Sequence, residues 1–353
     1  MLHSQEFWNG KNVLVTGHTG FKGGWLSLWL SELGVNLHGY SLSPTDQNEF
    51  YKRVFDESFP GSEIFADIRD IETLRNSLIA INPDVVFHLA AEPLVRRSFS
   101  FPLETFQVNV MGTVNLLEGI RTSGIRPVII NVTTDKVYEN NECVRGYRES
   151  DKLGGDDPYS ASKSCSEFVT NSYREAYFER SCVRISSARA GNVIGGGDMA
   201  SDRLIPDFFR SLRFNTEVVV RNPLSIRPWQ HVLEPISGYL ILAERMAQEN
   251  GRDYVGSWNF GPIGDPRRVE DVIKTLMSIA GNKNLVIDKN SGPTETNYLM
   301  LDSAKAVRML HWLPRLSVEQ ALEWTYEWFT KSEQGANMAD LSVKQIYDFR
   351  ELG

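Results

Sequence analysis

The chain has 353 residues, of which 41% are hydrophobic and 23% are charged, proportions typical of a folded globular protein. A net charge of −8 argues against a nucleic-acid-binding surface, and no apolar run approaches the roughly 18 residues of a membrane span. The three cysteines lack metal-ligand or redox spacing, and the polar first ten residues do not resemble a signal peptide. We therefore expect a cytoplasmic protein with reduced thiols and no metal site.

The first half of the chain alternates short apolar runs with helix-like stretches, which predicts a parallel sheet covered by helices on both faces. The predicted strands are 11–16, 35–42, 63–66, 84–90, 127–133 and 181–187. The predicted helices are 24–33, 71–80, 103–123, 159–177 and 318–330, the last opened by a capping box of Ser317 and Gln320. Right-handed crossovers then give an α/β fold with a Rossmann-like, doubly wound parallel sheet, in which ligands bind at the carboxyl ends of the strands.

A glycine-rich turn follows the first predicted strand and opens the first long helix. Gly17, Gly20 and Gly23 form a GxxGxxG pattern, which allows a tight turn and close approach of a pyrophosphate to the helix N-terminus. The pattern predicts a dinucleotide site. Its candidate cofactor-binding residues are Gly17, Thr19, Gly20, Phe21, Lys22 and Gly23.

Two further strand ends suit a dinucleotide. Asp67 and Ile68 end the third strand, where a carboxylate can accept a hydrogen bond from an adenine amino group. Leu89, Ala90 and Ala91 end the fourth, where small side chains let the backbone approach the cofactor, although helix–sheet packing is the better explanation of the two alanines taken alone.

The end of the second strand has no acidic residue, whereas an NAD site usually places one there for the ribose. Ser41 or Ser43 could bind the ribose instead, and the nearest arginine, Arg53, lies ten residues on. We therefore favour NAD, while this feature leaves NADP open.

After about residue 189 the alternation of strands and helices breaks down, and glycines and prolines punctuate shorter elements. This change predicts a smaller, mixed C-terminal lobe that binds the substrate. We assign 1–188 to an NAD-binding Rossmann domain, to which 224–261 returns, and 189–223 with 262–353 to the lobe. The absence of a flexible linker sequence predicts direct packing of the two.

Tyr159 and Lys163 form a YxxxK pattern at the start of a long predicted helix. Residues at i and i+4 share a helix face, so Lys163 can lower the pKa of the Tyr159 phenol and also reach the nicotinamide ribose. Thr134, at the end of the fifth strand, could bind the reacting oxygen. The three residues predict a redox centre.

Asp135 and Lys136 follow directly after Thr134. Two adjacent ionisable residues behind a buried strand fit either a solvated loop or acid–base chemistry. Their position beside the redox residues makes them candidates for the second.

These motifs resemble the extended short-chain dehydrogenase/reductase superfamily, and within it the nucleotide-sugar 4,6-dehydratases. The resemblance covers nearly the whole chain. Its most specific segments are TGHTGFKGGW (16–25), HLAAEPLVRRSFSF (88–101), TTDKVY (133–138) and RPWQHV (227–232). Relatives acting on dTDP-glucose carry Glu where this chain has Lys136. In having a lysine there, the chain resembles the branch that acts on CDP-glucose.

The resemblance implies a hydro-lyase that uses tightly held NAD to convert CDP-D-glucose to CDP-4-keto-6-deoxy-D-glucose, for deoxysugars of a bacterial surface polysaccharide such as the lipopolysaccharide O-antigen. Tyr159 would remove the C4 hydroxyl proton and Asp135 would protonate the departing C6 oxygen. Lys136 would be the C5 base, for which it must be neutral, or would stabilise the enolate.

The resemblance also implies a set of substrate-binding residues and a homodimer. Asn192 matches the position that contacts the substrate diphosphate. Arginine pairs bidentately with phosphate, although a single arginine is more often a surface residue. The other candidates are Arg203, Arg221, Arg227 and Tyr298, of which Tyr298 could equally pack in the core. The dimer would pair helices 103–123 and 159–177 of each subunit.

Two other functions remain open. A nucleotide-sugar 4-epimerase would share the fold, NAD, Tyr159 and Lys163, but it has no use for an acid–base pair such as Asp135 and Lys136. A non-catalytic NAD(P)-binding regulator is disfavoured because Thr134, Tyr159 and Lys163 are all present.

Overall fold

A seven-stranded parallel sheet is the centre of the computed structural model, which describes residues 4–56, 58–264, 266–281, 285–288 and 297–352. The strands are β1 (Asn12–Thr16), β2 (Asn36–Ser41), β3 (Ser62–Phe65), β4 (Val85–His88), β5 (Val128–Val132), β6 (Arg184–Ala190), β7 (Val193–Ile194), β8 (Val218–Arg221), β9 (Ile226–Arg227), β10 (Gln230–His231), β11 (Gly256–Phe260), β12 (Arg267–Arg268) and β13 (Leu285–Asp288). The large sheet has the order β3-β2-β1-β4-β5-β6-β11, with every neighbouring pair parallel. The order reverses between β1 and β4, so the predicted doubly wound, Rossmann-like fold is confirmed.

Helices cover both faces of the sheet. They are α1 (Gln5–Trp8), α2 (Phe21–Glu32), α3 (Glu49–Val54), α4 (Ile71–Ile81), α5 (Val95–Ser100), α6 (Pro102–Phe106), α7 (Gly112–Ser123), α8 (Pro158–Tyr173), α9 (Leu204–Phe214), α10 (Leu233–Ala247), α11 (Val269–Ala280), α12 (Ala304–Leu310), α13 (Val318–Glu333) and α14 (Met338–Glu351). Single π turns join α6 to α7 at Gln107–Met111 and extend α8 at Arg174–Phe178, and 3-10 turns lie at Asp135–Val137 and Gly251–Tyr254. Among the described residues, no helix combines the length and apolarity needed to cross a bilayer.

Three differences between the predicted and the observed elements concern the strands of the large sheet and the glycine turn. The sixth strand is Arg184–Ala190, three residues later than predicted, and α2 begins at Phe21, directly on the glycine turn. The prediction missed β11 as a strand, although residues 224–261 were assigned to the first domain. Its sequence, GSWNF, lacks the continuous apolar run of a buried strand, and it adds to the sheet by pairing with β6.

The C-terminal part contains the smaller mixed lobe that the sequence predicted. Strands β7 and β10 and strands β8 and β13 pair in parallel, whereas β9 and β12 are antiparallel. The hydrophobic core continues between the two parts, because Phe50 stacks on Trp328 and Trp29 packs edge-on against Phe349. The domain boundaries themselves therefore stay a prediction.

Candidate active site

The glycine turn brings β1, β4 and the N-terminus of α2 together. Gly17 has φ +75°, and a β-carbon there would lie 2.7 Å from the Ala90 nitrogen and 2.9 Å from the Leu89 carbonyl carbon. A β-carbon on Gly23 would collide with the Gly17 carbonyl oxygen. Only glycine fits both positions. The close-packed turn leaves the first N–H groups of α2 as a cradle for a pyrophosphate.

The Thr16 side chain holds the end of β4 through hydrogen bonds. Its hydroxyl accepts hydrogen bonds from the backbone N–H groups of Leu89 (3.2 Å) and Ala90 (3.3 Å) and pairs with Nδ1 of His88 at 2.8 Å. The other ring nitrogen of His88 lies 3.3 Å from the Thr113 hydroxyl. Burial lowers the pKa of His88 to about 3, so this histidine is neutral and fixes the strand end.

The adenosine side of the predicted dinucleotide site has few free polar groups. The hydroxyls of Ser41 and Thr19 lie 2.8 Å apart, and Ser41 also contacts its neighbour's carbonyl, whereas Ser43 is exposed. The Asp67 carboxylate pairs with Arg69, which holds the pKa of that carboxyl below its usual range. Ile68 is buried. Binding of adenine by Asp67 would compete with the Arg69 pair, and its role stays a prediction.

Tyr159 and Lys163 lie one turn apart at the start of α8, both buried. The side chain of Asp157 caps this helix by accepting from the Ser160 N–H at 2.9 Å, which fixes where the helix begins. Lys163 Nζ donates to the Val132 carbonyl at 3.3 Å, at the end of β5. Burial lowers the pKa of Lys163 to about 8.

The pKa of Tyr159 is raised, whereas the sequence predicted that Lys163 would lower it. Burial raises the pKa of Tyr159 to about 12, and the largest opposing influences are a hydrogen bond with Thr134 and the charge of Arg203. The sequence prediction considered the charge four residues away and neglected burial, which disfavours the phenolate.

The segment after β5 carries the predicted acid–base pair. The Thr134 hydroxyl donates to Oδ1 of Asp135 at 3.0 Å and accepts from the Lys136 N–H at 3.4 Å. Oδ2 of Asp135 has no hydrogen-bond partner among the described residues and lies against Gly191, where a β-carbon would come within 2.6 Å of it. Burial raises the pKa of Asp135, although the charges of Lys136, Arg227 and Lys22 oppose the rise. The buried carboxyl thus holds its proton more readily, as a general acid should.

Cations converge on the same part of the site. Lys22 donates to the hydroxyl of Tyr239 at 3.4 Å, and burial, followed by the charges of Arg203 and Lys163, lowers its pKa to about 7. Arg203 pairs with buried Asp198 at 3.0 Å. The charges of Lys136, Arg227 and Lys22 reach the Asp135 carboxyl, and such a group of cations suits an anionic ligand.

The other predicted substrate residues are less closely grouped. Arg227 is buried and donates to the Ile226 carbonyl at 2.9 Å, while its charge reaches Asp135. Arg221 pairs with Asp202 at 3.1 Å, and Tyr298 donates to the Val144 carbonyl at 3.1 Å.

The Asn192 carbonyl accepts from the Gln230 N–H at 3.1 Å. The structure thus brings Arg203 and Arg227 to the catalytic candidates, whereas Arg221 and Tyr298 lie on the lobe. The diphosphate and nucleotide roles assigned to these residues stay predictions.

The sequence prediction missed Glu167 and Arg189, which form a buried ion pair next to the catalytic candidates. One signal was available, because Glu167 continues the i, i+4 series of Tyr159 and Lys163 along one helix face. An acid on a face predicted to be buried requires a partner.

A family model described as GDP-mannose 4,6 dehydratase matches residues 14–325 of this chain. The chain belongs to this family. It is 46% identical, over 98% of both chains, to a CDP-glucose 4,6-dehydratase from Salmonella typhimurium. The resemblance drawn from the sequence motifs is therefore confirmed.

Solved structures confirm the fold. An epimerase from Methanothermobacter thermautotrophicus superposes with a TM-score of 0.82 at 25% identity, covering 94% of this chain and 95% of that one. A dTDP-glucose 4,6-dehydratase from Streptomyces venezuelae, solved with NAD bound, gives a TM-score of 0.78 at 24% identity, covering 92% and 98%. Dehydratases and epimerases thus share this architecture, so the reaction must be argued from the site.

Proposed function

We propose that this protein is an NAD-dependent hydro-lyase that converts CDP-D-glucose to CDP-4-keto-6-deoxy-D-glucose. The observation that carries the proposal is the position of buried Asp135, whose pKa is raised by burial, beside Thr134 and Tyr159. An epimerase has no use for this acid. The 46% identity to a CDP-glucose 4,6-dehydratase supports both the reaction and the nucleotide.

The residues present fit NAD. The crowded turn at Gly17 offers backbone amides to a pyrophosphate, and Lys163 lies on the face of α8 that carries Tyr159. When bound, NAD accepts a hydride and returns it, so the reaction needs no external oxidant. The neutral, hydrogen-bonded Ser41 at the end of β2 offers no positive charge for a 2′-phosphate, which favours NAD over NADP.

Tyr159 takes the proton of the C4 hydroxyl, assisted by the Thr134 hydroxyl. Its pKa of about 12 must fall for this step at neutral pH, and the Thr134 hydrogen bond and Arg203 charge act in that direction. Lys163, whose Nζ reaches the end of β5, adds a cation on the same face of α8 when it is protonated.

Asp135 delivers its proton to the C6 oxygen as water leaves across C5–C6. The new 4-ketone acidifies the C5 hydrogen, and Lys136, the neighbour of Asp135, acts on that proton or on the resulting enolate. Lys136→Ala should therefore slow elimination, and full dehydration by this variant would remove Lys136 from both roles.

Substrate binding is assigned to Asn192, Arg203, Arg221, Arg227 and Tyr298. Arg203 and Arg227 lie near the reacting end, which suits the diphosphate. Arg221 and Tyr298 lie on the lobe, where the nucleoside would extend.

A second copy of the chain is the proposed partner. Large apolar side chains are exposed on the packed helices α6 and α8 and on the π turns beside them: Leu103, Phe106, Met111, Phe168 and Tyr177. Large exposed apolar groups on packed helices are typical of an interface. Light scattering should give a dimer for the wild type and a monomer for Phe168→Glu, and a monomeric wild type would contradict the assignment.

We place the enzyme in the cytoplasm, which is supported by free Cys143, Cys165 and Cys182. The product is a precursor for deoxysugars, as in surface polysaccharides including the lipopolysaccharide O-antigen.

The test is mass spectrometry of the product after incubation with CDP-glucose, with and without added NAD, beside UDP-, dTDP- and GDP-glucose. Loss of one water from CDP-glucose alone is expected. Loss from another nucleotide would keep the mechanism and change the substrate. No loss of water from any of them would overturn the dehydratase, and a stereochemical change at constant mass would favour an epimerase.

A further inference from the structure

The buried ion pair of Glu167 and Arg189 is rigidly arranged. Arg189 donates from Nε to Oε1 of Glu167 at 2.9 Å and from Nη2 to Oε2 at 2.8 Å, and the two side chains are only 2% and 3% exposed. A bidentate pair fixes the orientation of both partners as well as their distance. It can therefore act as a fixed point for neighbouring chain segments.

The segment 133–138, which carries the proposed acid, is attached to this pair at both ends. At one end the Thr133 hydroxyl donates to Oε1 of Glu167 at 2.6 Å. At the other end Nη1 of Arg189 donates to the Tyr138 hydroxyl at 2.7 Å, and the guanidinium lies over the tyrosine ring, 4.9 Å from its centroid. The residues between the two attachments are those assigned to oxygen binding and acid–base chemistry.

Glu167 also belongs to the helix that carries the redox residues. It lies on α8, four residues after Lys163 and eight after Tyr159, on the same helix face. Arg189 lies on β6, so the pair joins α8, the sheet and the segment 133–138.

We propose that Glu167 and Arg189 are positioning residues that hold the segment 133–138 in register with α8. This inference rests on the proposed function, in which Tyr159 acts at C4 and Asp135 at C6 of one bound sugar. The two groups stand on different elements, and a displacement of about 1 Å can slow a reaction by roughly 100-fold. Loosening the link should slow elimination more than oxidation, so reduced cofactor should accumulate.

Two variants each remove one hydroxyl that donates a hydrogen bond to the Glu167 carboxylate. Thr133→Val preserves the side-chain shape and removes the link to segment 133–138. Ser187→Ala removes the donor to Oε2 of Glu167, also 2.6 Å long, which comes from β6 and not from that segment. Each loses one buried hydrogen bond to Glu167, and Ser187→Ala also loses a contact of 3.1 Å with the Ser257 hydroxyl, so the control should be destabilised at least as much.

We expect Thr133→Val to lower kcat by roughly 10-fold to 100-fold with KM for CDP-glucose unchanged, and to show NADH absorbance during a single turnover. Ser187→Ala should keep kcat close to the wild-type value. Tyr138→Phe, which loosens the other end, should repeat the effect of Thr133→Val and provides the measurement if that variant does not fold.

Equal kcat values in the matched pair, or a loss of kcat without NADH accumulation, would overturn the positioning role while leaving the dehydratase intact. A wild-type protein that forms no dehydrated product would overturn the proposed function, and the inference with it. The wild-type assay thus separates the two failures.

Discussion

Two buried carboxyl groups near the carboxyl edge of the sheet, those of Glu167 and Asp135, have opposite surroundings. Burial acts to raise the pKa of Glu167, but Arg189 and hydroxyl donors overcome it and the pKa is lowered. Among the described residues the Asp135 side chain has one hydrogen bond, from Thr134, and burial raises its pKa. An unsatisfied buried carboxyl costs stability. We infer that Glu167, whose carboxylate is fully hydrogen-bonded, maintains the structure, whereas Asp135, which has fewer hydrogen bonds, serves in proton transfer.

The largest effect should come from Asp135→Asn. Removing a general acid should lower kcat by roughly 100-fold to 10,000-fold, because the C6 oxygen would leave without a proton. The melting temperature should not fall, since the amide carries no charge into the buried site. Product mass and thermal unfolding measure the two effects, and wild-type turnover by this variant would contradict the assignment of Asp135.

Glu167→Gln tests the other half of the comparison. The change leaves Arg189 buried without its counter-charge, and breaking a buried pair in this way costs about 3–5 kcal/mol. Urea unfolding should show this loss. A loss below about 1 kcal/mol, the size expected of a surface pair, would mean that the ion pair does not hold the structure.

The sequence alone predicted those features that depend on local sterics or periodicity. Gly17 and Gly23 were identified because the turn itself demands glycine: Gly17 has φ +75°, and a β-carbon on Gly23 would collide with the Gly17 carbonyl oxygen. The capping box at Ser317 was identified because it lies within four residues of chain and uses only their own side chains.

Features that depend on distant partners were not predictable. Strand β11 has a buried Asn259 because Tyr138, over a hundred residues earlier, supplies its hydrogen-bond partner. The raised pKa of Tyr159 likewise follows from burial, which no spacing along the helix reveals.

Glu234 is intermediate between Glu167 and Asp135 in the hydrogen bonding of its buried carboxyl group. Its Oε1 accepts the backbone N–H groups of Arg315 and Leu316, whereas Oε2 has no hydrogen-bond partner in the described chain. Burial raises its pKa to about 7, from an ordinary 4.5. The folded protein therefore binds more protons than the unfolded chain between pH 4.5 and 7. Stability from this group is fully present below that window and falls by up to about 3 kcal/mol as the pH rises through it.

Glu234→Gln should remove this dependence. Unfolding free energies at pH 5 and pH 8 should differ less in the variant than in the wild type, and the variant should gain most at pH 8. Activity near neutral pH should change little, because Glu234 lies at the start of α10 and bonds to the residues before α13. A difference between variant and wild type that is independent of pH would show that Glu234 does not titrate in this window.

The smallest effect concerns a fully bonded pair at the surface. The Ser317 hydroxyl accepts from the Gln320 N–H at 3.2 Å, and the Gln320 side chain accepts from the Ser317 N–H at 2.9 Å. Ser317→Ala should lower the unfolding free energy by about 1 kcal/mol, because water replaces the lost bond only in part. Ser278→Ala, an exposed serine inside α11, is the control and should cost nothing, since alanine favours the helix interior. Equal effects in the two variants would mean that hydrogen bonding alone does not determine the loss of unfolding free energy. The larger loss expected for Glu167→Gln would then be due to burial.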